Sequence, residues 1–359
     1  MIELRAGKDD NGRRLDRIIR KALPDYPLSL IHRLLRQKKI LVDNKPVTPN
    51  HRIEQGMIII VNVPATHIKN KVNDNMVNQI NSMVNKKNPR LQTSNSELHS
   101  IRLSRTLGVP ILWQGSGIIV FNKPQGLSTH GPQSLDVIVN DWLAGGGGKG
   151  GGPLPRSLSF KPGPLHRLDK PTSGAIAFSQ TLEGARLFSA LLRERKIEKS
   201  YIAIVEGSIE KDKGTGNREQ GTGYSEIIWR DALVHDKNKR KSVVVETVGT
   251  KESYAKTQEA KEALTALKTL ASNNEYSLIE VKIKTGRHHQ IRAQAASHGH
   301  PLAGDIKYGG KPLPGQSRGG GFFLHAWKII FNESPDGFPR EITAPLPESF
   351  QSQIEALFK

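Results

Sequence analysis

The sequence contains no cysteine, and this absence excludes several kinds of chemistry. A chain without cysteine has no disulfide, no thiolate zinc site and no cysteine nucleophile. No apolar run approaches the roughly 18 residues that a membrane span needs, and the first residues lack the apolar core of a signal peptide. We therefore expect a cytoplasmic protein that makes no membrane contact.

Acidic residues are scarce relative to basic ones. The 359 residues include 34 Asp and Glu against 53 Lys and Arg, which gives a formal net charge of +19 at pH 7. Such an excess attracts polyanions through its long-range field. Nucleic acid is therefore the expected partner, and the alternative on charge alone is a basic protein with a merely solvated surface. The length is sufficient for two domains.

Recognisable metal-ligand and nucleotide patterns are also missing. The adjacent His288 and His289 would diverge by about 100° on a helix, so they would hardly share one ion, and no H-E-x-x-H arrangement is present. The Gly-rich segment 145–152 does not complete a G-x-x-x-x-G-K-[ST] phosphate-binding loop. We expect neither a metal site nor a bound nucleotide cofactor.

The first unit, residues 12–63, combines two helices with short strands. Apolar residues recur at helical spacing at Leu15, Ile18 and Ile19, and again in a second helix predicted from Ser29. A hairpin with its turn at Asp43-Asn44 follows. Residues 1–64 carry 13 Lys and Arg against 7 Asp and Glu, and basic side chains occupy the outer helix faces.

This first unit resembles the S4 RNA-binding domain. The resemblance rests on R-L-D-R at 14–17 and L-V-D-N-K-P-V at 41–47. It implies that six basic residues bind RNA phosphates: Arg17, Arg20, Arg33, Arg36, Lys38 and Lys39. The alternative is a helical cap whose basic face is only exposed to solvent. Residues 65–104 are rich in Asn and lack aromatic residues, which favours a linker or mobile insertion.

A single carboxylate stands in the most distinctive stretch of the chain, residues 166–174. Gly163-Pro164 predicts a turn before it, and the apolar run 175–178 predicts a buried strand after it. Asp169 is therefore expected on a loop that leads into a rigid strand, where catalytic groups are commonly held. The alternative is a surface loop whose Arg and Asp are simply solvated.

The stretch 166–174 resembles the catalytic loop H-R-L-D-x-x-T-S-G of the RluA family of pseudouridine synthases. Further motifs of that family follow in its order: N-K-P-x-G at 122–126, K-x-Y at 199–201, T-G-R-x-H-Q-I-R at 285–292 and G-H-P-x-x-G-D-x-x-Y-G at 299–309. Ser179, Ala293 and Gln294 differ from the residues that are common at these positions in the family. These differences bear on which subgroup the chain resembles more than on whether it is active.

The resemblance implies an α+β fold. A mixed, largely antiparallel sheet with flanking helices is expected to form a pseudouridine synthase catalytic domain over 107–350. The small N-terminal S4-like domain, 12–63, would be attached through the linker 65–104. We expect a monomer.

The resemblance also implies roles for individual residues. Asp169 would be the nucleophile, and Arg287 would be the guanidinium that pairs with it. Tyr201 would stack on the uracil and assist proton transfer, Ile291 would press on the base, and Arg167 would fill the gap left by the flipped nucleotide. The reaction implied by the resemblance converts uridine in RNA to its isomer pseudouridine. Because it is an isomerisation, no cofactor is expected.

The expected substrate follows from the S4 domain, which accompanies the RluC/RluD-type members of the family. Large-subunit ribosomal RNA is favoured, and transfer RNA is the alternative within the enzyme class. An alternative outside the enzymes is a non-catalytic S4-type RNA-binding or ribosome-assembly protein. The presence of Asp169, Tyr201 and Arg287 argues against this alternative. A metal-dependent RNA hydrolase is disfavoured because the sequence shows no paired carboxylates.

Overall fold

The computed structural model describes residues 1–24, 26–62, 108–143, 158, 160–209, 217–219, 226–236, 238–245, 260–313, 316 and 321–359. The chain forms two compact units. Unit 1 comprises Met1–Ile119, Asp136–Leu165 and Phe178–Leu187, and unit 2 comprises Val120–Leu135, His166–Ala177 and Phe188–Lys359. The predicted linker at 65–104 and the Gly-rich loop at 145–152 lie outside the described residues.

The N-terminal part of unit 1 contains two helices and two small sheets. The helices are Leu15–Ala22 and Leu28–Arg36, and a 3-10 turn covers Lys8–Asp10. The strands are β1 (Ile2–Arg5), β2 (Arg13–Arg14), β3 (Ile40–Val42), β4 (Lys45–Pro46), β5 (Arg52–Ile53) and β6 (Ile58–Val61). One sheet has the order β1-β6-β3-β4, and β2 pairs with β5.

The apolar positions that predicted these helices form the core of this part. Leu15, Ile18 and Ile19 are fully buried, and the second helix, which begins one residue earlier than predicted, buries its own apolar face in the same cluster. The hairpin is confirmed as well: Asp43 and Asn44 both have positive φ, 47° and 63°, the combination that a tight two-residue turn needs.

The chain from residue 108 onward contains the remaining strands and, among the described residues, four helices. The helices are Leu135–Leu143, Leu182–Arg193, Gln290–Ser297 and Glu348–Phe358, with a 3-10 turn at Ile306–Tyr308. The strands are β7 (Ile111–Gly115), β8 (Ile118–Lys123), β9 (Gly163–Pro164), β10 (Ser173–Ser179), β11 (Ile197–Glu206), β12 (Asn217–Glu219), β13 (Glu226–Asp236), β14 (Lys241–Val245), β15 (Lys261–Ser272), β16 (Tyr276–Ile283), β17 (Leu324–Phe331) and β18 (Glu341–Thr343).

In unit 2 the strands follow the order β12-β13-β15-β16-β11-β17-β10-β8. The neighbours from β13 to β17 pair antiparallel, whereas β10 and β17 run parallel. β14 pairs with β13 and β18 with β17. The predicted α+β class with a mixed, largely antiparallel sheet is confirmed.

Every residue of β10 is buried, as the apolar run had predicted. Phe350 of the C-terminal helix packs with Ile204 and Phe323 in a core cluster of unit 2. Among the described residues, no helix is both long and apolar enough to span a membrane.

Candidate active site

A cleft of about 750 Å³ opens in unit 2, and residues from several segments line it. They include the loop before β10, the strand β11, the loop after β16 and the helix Gln290–Ser297. All five residues to which the sequence assigned catalytic-domain roles line this one cleft: Arg167, Asp169, Tyr201, Arg287 and Ile291.

Strand pairing brings the Asp169 loop to Tyr201. Gly174 of β10 and Tyr201 of β11 both pair with Ala326 of the strand between them. Gly174 has a φ of 110°, and a Cβ there would lie 2.2 Å from the Ala326 carbonyl oxygen, so no other residue fits this close approach. The β11–β17 register shifts between Ser200 and Tyr201, an irregularity of the kind that re-aims a side chain.

The N-K-P-x-G segment holds the Asp169 loop through a buried lysine. Lys123 Nζ donates to the carbonyl oxygens of Pro124, Leu127 and Lys170 at 3.1, 2.7 and 3.3 Å. Three acceptors match the three protons of an ammonium group. Burial lowers the pKa of Lys123 to about 7, opposed by the charge of Asp169, which raises it.

Thr129 and Gly126 form further hydrogen bonds to the residues on either side of Asp169. Thr129 Oγ1 donates to the carbonyl of Leu168 at 2.8 Å and accepts from the Leu168 amide at 3.2 Å. The Gly126 amide donates to the carbonyl of Lys170 at 2.9 Å. The residues before and after Asp169 are therefore both bonded to the 123–129 segment, which limits the freedom of the carboxylate.

Asp169 is bound by Arg292. Arg292 Nη1 donates to Asp169 Oδ2 at 2.9 Å, while its Nε and Nη2 donate to the two oxygens of Asp305 at 2.7 and 2.8 Å. Although burial opposes the charge of Arg292, its bonds to Asp305 and Asp169 raise the pKa of the guanidinium. The aromatic rings of Phe322 and Tyr308 cover the guanidinium, and their centroids lie 4.4 and 4.9 Å from its central carbon.

The assignment of Arg287 as the partner of Asp169 is wrong. Arg287 is exposed at the rim of the cleft, and its Nε donates to the carbonyl oxygen of Glu262 at 3.0 Å. The helix predicted to follow the T-G-R-x-H-Q-I-R motif begins inside it, at Gln290. The second arginine of the motif, Arg292, therefore lies in the first helical turn and points to the loop.

The two oxygens of Asp169 have different surroundings. Oδ2 faces both Arg292 and His289, whose Nε2 lies 3.5 Å away. Oδ1 has no hydrogen-bond partner in the part of the chain that the structure describes. Arg292 thus binds Oδ2, whereas Oδ1 is left without a protein donor among the described residues.

Tyr201 and Ile291 form further parts of the cleft wall. Both side chains are largely buried, 6% and 5% exposed. Burial, followed by the negative charge of Asp169, raises the pKa of Tyr201, so its phenol keeps its proton at neutral pH. Its hydroxyl has no hydrogen-bond partner within the described ranges. Arg167 is exposed beside Asp169.

The six basic residues predicted for the S4-like domain are all exposed: Arg17, Arg20, Arg33, Arg36, Lys38 and Lys39. Arg33 and Arg36 project from one helix, and Lys38 and Lys39 follow its end. None of the six joins an ion pair within the described residues, so their charges are available to a polyanion.

Two histidines that line the cleft, His288 and His289, contact each other, and His288 also contacts His235. The rings of His288 and His289 stack at 3.7 Å, and His235 meets His288 edge-on at 4.2 Å. Over the described part of the chain, no group of three or more His, Asp or Glu side chains could hold a metal ion. The absence of a metal cofactor stays a prediction.

Two protein-family profiles match the chain. The family profile described as RNA pseudouridylate synthase matches residues 117–297, half of the chain, and an S4 domain profile matches 13–59. The chain belongs to the RNA pseudouridylate synthase family. The expected family, the enzyme class and the N-terminal S4 domain are confirmed, whereas the boundaries 12–63, 65–104 and 107–350 stay predictions.

Curated relatives extend along nearly the whole enzyme. "Ribosomal large subunit pseudouridine synthase C" of Escherichia coli (strain K12) is 26% identical over 97% of this chain and 94% of its own length. The protein of the same name from Buchnera aphidicola is 25% identical over 98% and 95%. An uncharacterized RNA pseudouridine synthase of Bacillus subtilis (strain 168) is 25% identical over 100% and 98%.

A solved structure shares the fold. Human RNA pseudouridylate synthase domain containing 4 superposes with a TM-score of 0.52 at 22% identity, covering 72% of this chain and 95% of that one. This likeness concerns the fold, and the roles of individual residues depend on the geometry of this enzyme's own cleft.

Proposed function

We propose that this enzyme converts uridines of large-subunit ribosomal RNA to pseudouridine, and that Asp169 carries the reaction. The observation that supports Asp169 most strongly is its asymmetric binding: Arg292 holds Oδ2, while Oδ1 has no partner among the described residues. The curated relatives named for the ribosomal large subunit match over almost their full lengths, which supports the choice of RNA.

The reaction needs one ionised carboxylate beside the nucleoside. The bond from uracil N1 to ribose C1′ breaks, the base turns, and a bond from C5 to C1′ forms. The C5 proton leaves and N1 gains a proton, so nothing is oxidised or reduced. Attack by Oδ1 on the ribose and attack on the uracil ring both require an anionic oxygen that no protein donor covers, as Oδ1 of Asp169 provides.

Tyr201 and Ile291 contact the base, and Arg167 replaces the flipped nucleotide. A stacked uracil hides its reacting atoms, so the nucleotide must leave its stack to enter the cleft. Tyr201 stacks on the uracil and relays the C5 proton: its oxygen accepts that proton as the hydroxyl releases its own to water. Ile291 offers an apolar contact from the helix, and the exposed Arg167 occupies the space that the nucleotide vacates.

Affinity for RNA comes from exposed cations. The net charge of +19 attracts a polyanion at long range. The basic residues of the S4 domain bind phosphates, which supplies affinity and position without sequence choice. Cations at the rim of the cleft, among them Arg195, Lys284 and Arg287, extend this contact to the nucleotides around the target.

Mapping pseudouridines in ribosomal and transfer RNA from cells with and without the gene tests this function. We expect specific sites in the large-subunit RNA to disappear, to return with the parent enzyme, and to stay absent with Asp169→Asn. Loss confined to transfer RNA would reject the substrate, and restoration by Asp169→Asn would reject the role of the carboxylate.

A further inference from the structure

Tyr308 connects His289 to the strand β14 through hydrogen bonds. The amide of Ser242 donates to the Tyr308 hydroxyl at 2.8 Å, and the same hydroxyl lies 2.9 Å from His289 Nδ1. His289 in turn has its Nε2 3.5 Å from Asp169 Oδ2. A continuous polar chain therefore runs from the backbone of β14 to the carboxylate of Asp169.

The direction of each hydrogen bond follows from the first donor. An amide N–H can only donate, so the Tyr308 oxygen accepts from Ser242. The hydroxyl proton of Tyr308 then has His289 Nδ1 as its acceptor, since no other lies within reach among the described residues. A neutral imidazole that accepts at Nδ1 carries its proton at Nε2, the nitrogen that faces Asp169.

The ring of His289 is kept neutral. Burial lowers the pKa of His289 to about 3, and the nearby charge of Arg292 acts in the same direction, while Asp169 opposes them. The Nε2–H tautomer is also favoured because a ring lone pair facing a carboxylate would be repelled. His289 therefore presents a neutral N–H at neutral pH.

Two donors converge on one oxygen of Asp169. Arg292 Nη1 lies 2.9 Å from Oδ2, and the Nε2–H of His289 approaches the same atom. The 3.5 Å separation is longer than a hydrogen bond, but catalytic contacts in free enzymes often shorten when substrate binds. Oδ1 receives neither donor, so the arrangement selects which oxygen reacts.

We propose that Tyr308 is a positioning residue that holds His289 in its Nε2–H tautomer, so that His289 and Arg292 together hold Oδ2 of Asp169 and leave Oδ1 to react. The inference rests on the proposed role of Asp169. Tyr308 acts through His289 and does not itself touch the reacting atoms.

Tyr308→Phe removes only the hydroxyl. The ring keeps its packing against Leu233, Ala263 and Ala293, and it keeps its contacts with the cations of Lys241 and Arg292. We expect kcat to fall about tenfold with KM within about twofold, since the ground-state contacts to RNA remain. Tyr276→Phe, at a tyrosine outside the cleft, is the matched control and should retain the parent kcat.

Nitrogen-15 NMR of histidine-labelled enzyme reads the tautomer without any turnover. The parent should show His289 protonated at Nε2, and Tyr308→Phe should show a mixture of tautomers. A parent protonated at Nδ1, or a tautomer unaffected by Tyr308→Phe, would overturn the proposal. The NMR measurement does not depend on whether Asp169 carries out the reaction. It therefore distinguishes an error in the proposed reaction from an error in the proposed effect of Tyr308 on His289.

Loss of the Tyr308 hydroxyl also leaves the Ser242 amide without its acceptor, so a second pair of variants guards against misfolding. His289→Gln offers an amide N–H near the position of Nε2, whereas His289→Leu does not. His289 has a φ of 51°, and both replacements share that backbone strain. We expect His289→Gln to retain at least about fivefold more kcat than His289→Leu. Equal losses in the two variants would contradict the role assigned to the N–H.

Discussion

Arg292 lies between two carboxylates and binds them unequally. It makes one hydrogen bond to Asp169, at 2.9 Å from Nη1, and two to Asp305, at 2.7 and 2.8 Å. The two-bond contact with buried Asp305 fixes the plane of the guanidinium. That plane directs Nη1 at Oδ2, so Asp305 decides where Arg292 meets the Asp169 carboxylate.

Arg292→Lys should impair catalysis although it keeps the charge. An ammonium cannot bind Asp305 through two parallel bonds and reach Asp169 at the same time. We expect kcat to fall by at least about a hundredfold, comparable to the loss of a preorganised donor in other active sites. Tritium release from 5-tritiated uridine in RNA measures turnover, and circular dichroism verifies folding. Arg287→Lys is the matched control and should have a much smaller effect, so a larger loss there would restore Arg287 as the partner.

Asp169→Asn should abolish pseudouridine formation without abolishing RNA binding. Asn is nearly isosteric, and Arg292 keeps its two bonds to Asp305, so the loop should keep its shape. The amide has no negative charge and is a poor nucleophile. Tritium release reports the chemistry and filter binding reports affinity. Substantial residual isomerisation by the folded variant would refute the role of Asp169, and joint loss of binding would indicate that it only supports the loop.

Lys123→Met should change how stability depends on pH. Burial lowers the pKa of Lys123 from 10.5 to about 7 in the folded enzyme. Between these values the unfolded chain binds the extra proton, so stability contributed by this site rises with pH, by at most about 1.4 kcal/mol per pH unit. Below pH 7 the cost of the buried charge is fully present.

The difference in unfolding free energy between the parent and Lys123→Met isolates this site from the other titrating groups. Urea unfolding at intervals from pH 6 to pH 10 should show the difference shift in favour of the parent above pH 7. A constant difference over that interval would mean that Lys123 stays charged, held by its three carbonyl acceptors.

Neutralising the S4 helix face should weaken RNA binding and flatten its salt dependence. In Arg33→Gln combined with Arg36→Gln, the slope of log K against log salt should fall by about 0.7 to 0.9 for each RNA phosphate that the variant no longer neutralises. Arg340→Gln combined with Lys359→Gln removes two exposed charges far along the chain and serves as the control. An unchanged slope in the S4 variant would mean that these two arginines are solvated and bind no RNA phosphate.

Much of the fold could be predicted because local patterns and tertiary contacts agree. The N-terminal helices and the strand β10 bury the apolar residues whose spacing predicted them, and the exposed turn at Asp43-Asn44 has the positive φ values that its residues favour. The strand β15 could not be predicted this way. Its sequence, K-E-A-L-T-A-L-K-T-L-A-S, is rich in good helix formers, yet β13 and β16 pair with it along both edges. Pairing along both edges overrides so weak a local preference.

The sequence by itself determined the family, the S4 domain, the basic faces and the loop that carries Asp169, because each depends on residue types in order along the chain. Only the tertiary structure decided which arginine meets that carboxylate. Arg287 and Arg292 belong to one short motif, but the helix begins between them, and their side chains therefore leave in different directions. Asp305 then fixes Arg292 by a contact between segments thirteen residues apart, and spacing along the chain does not specify the direction of such a contact.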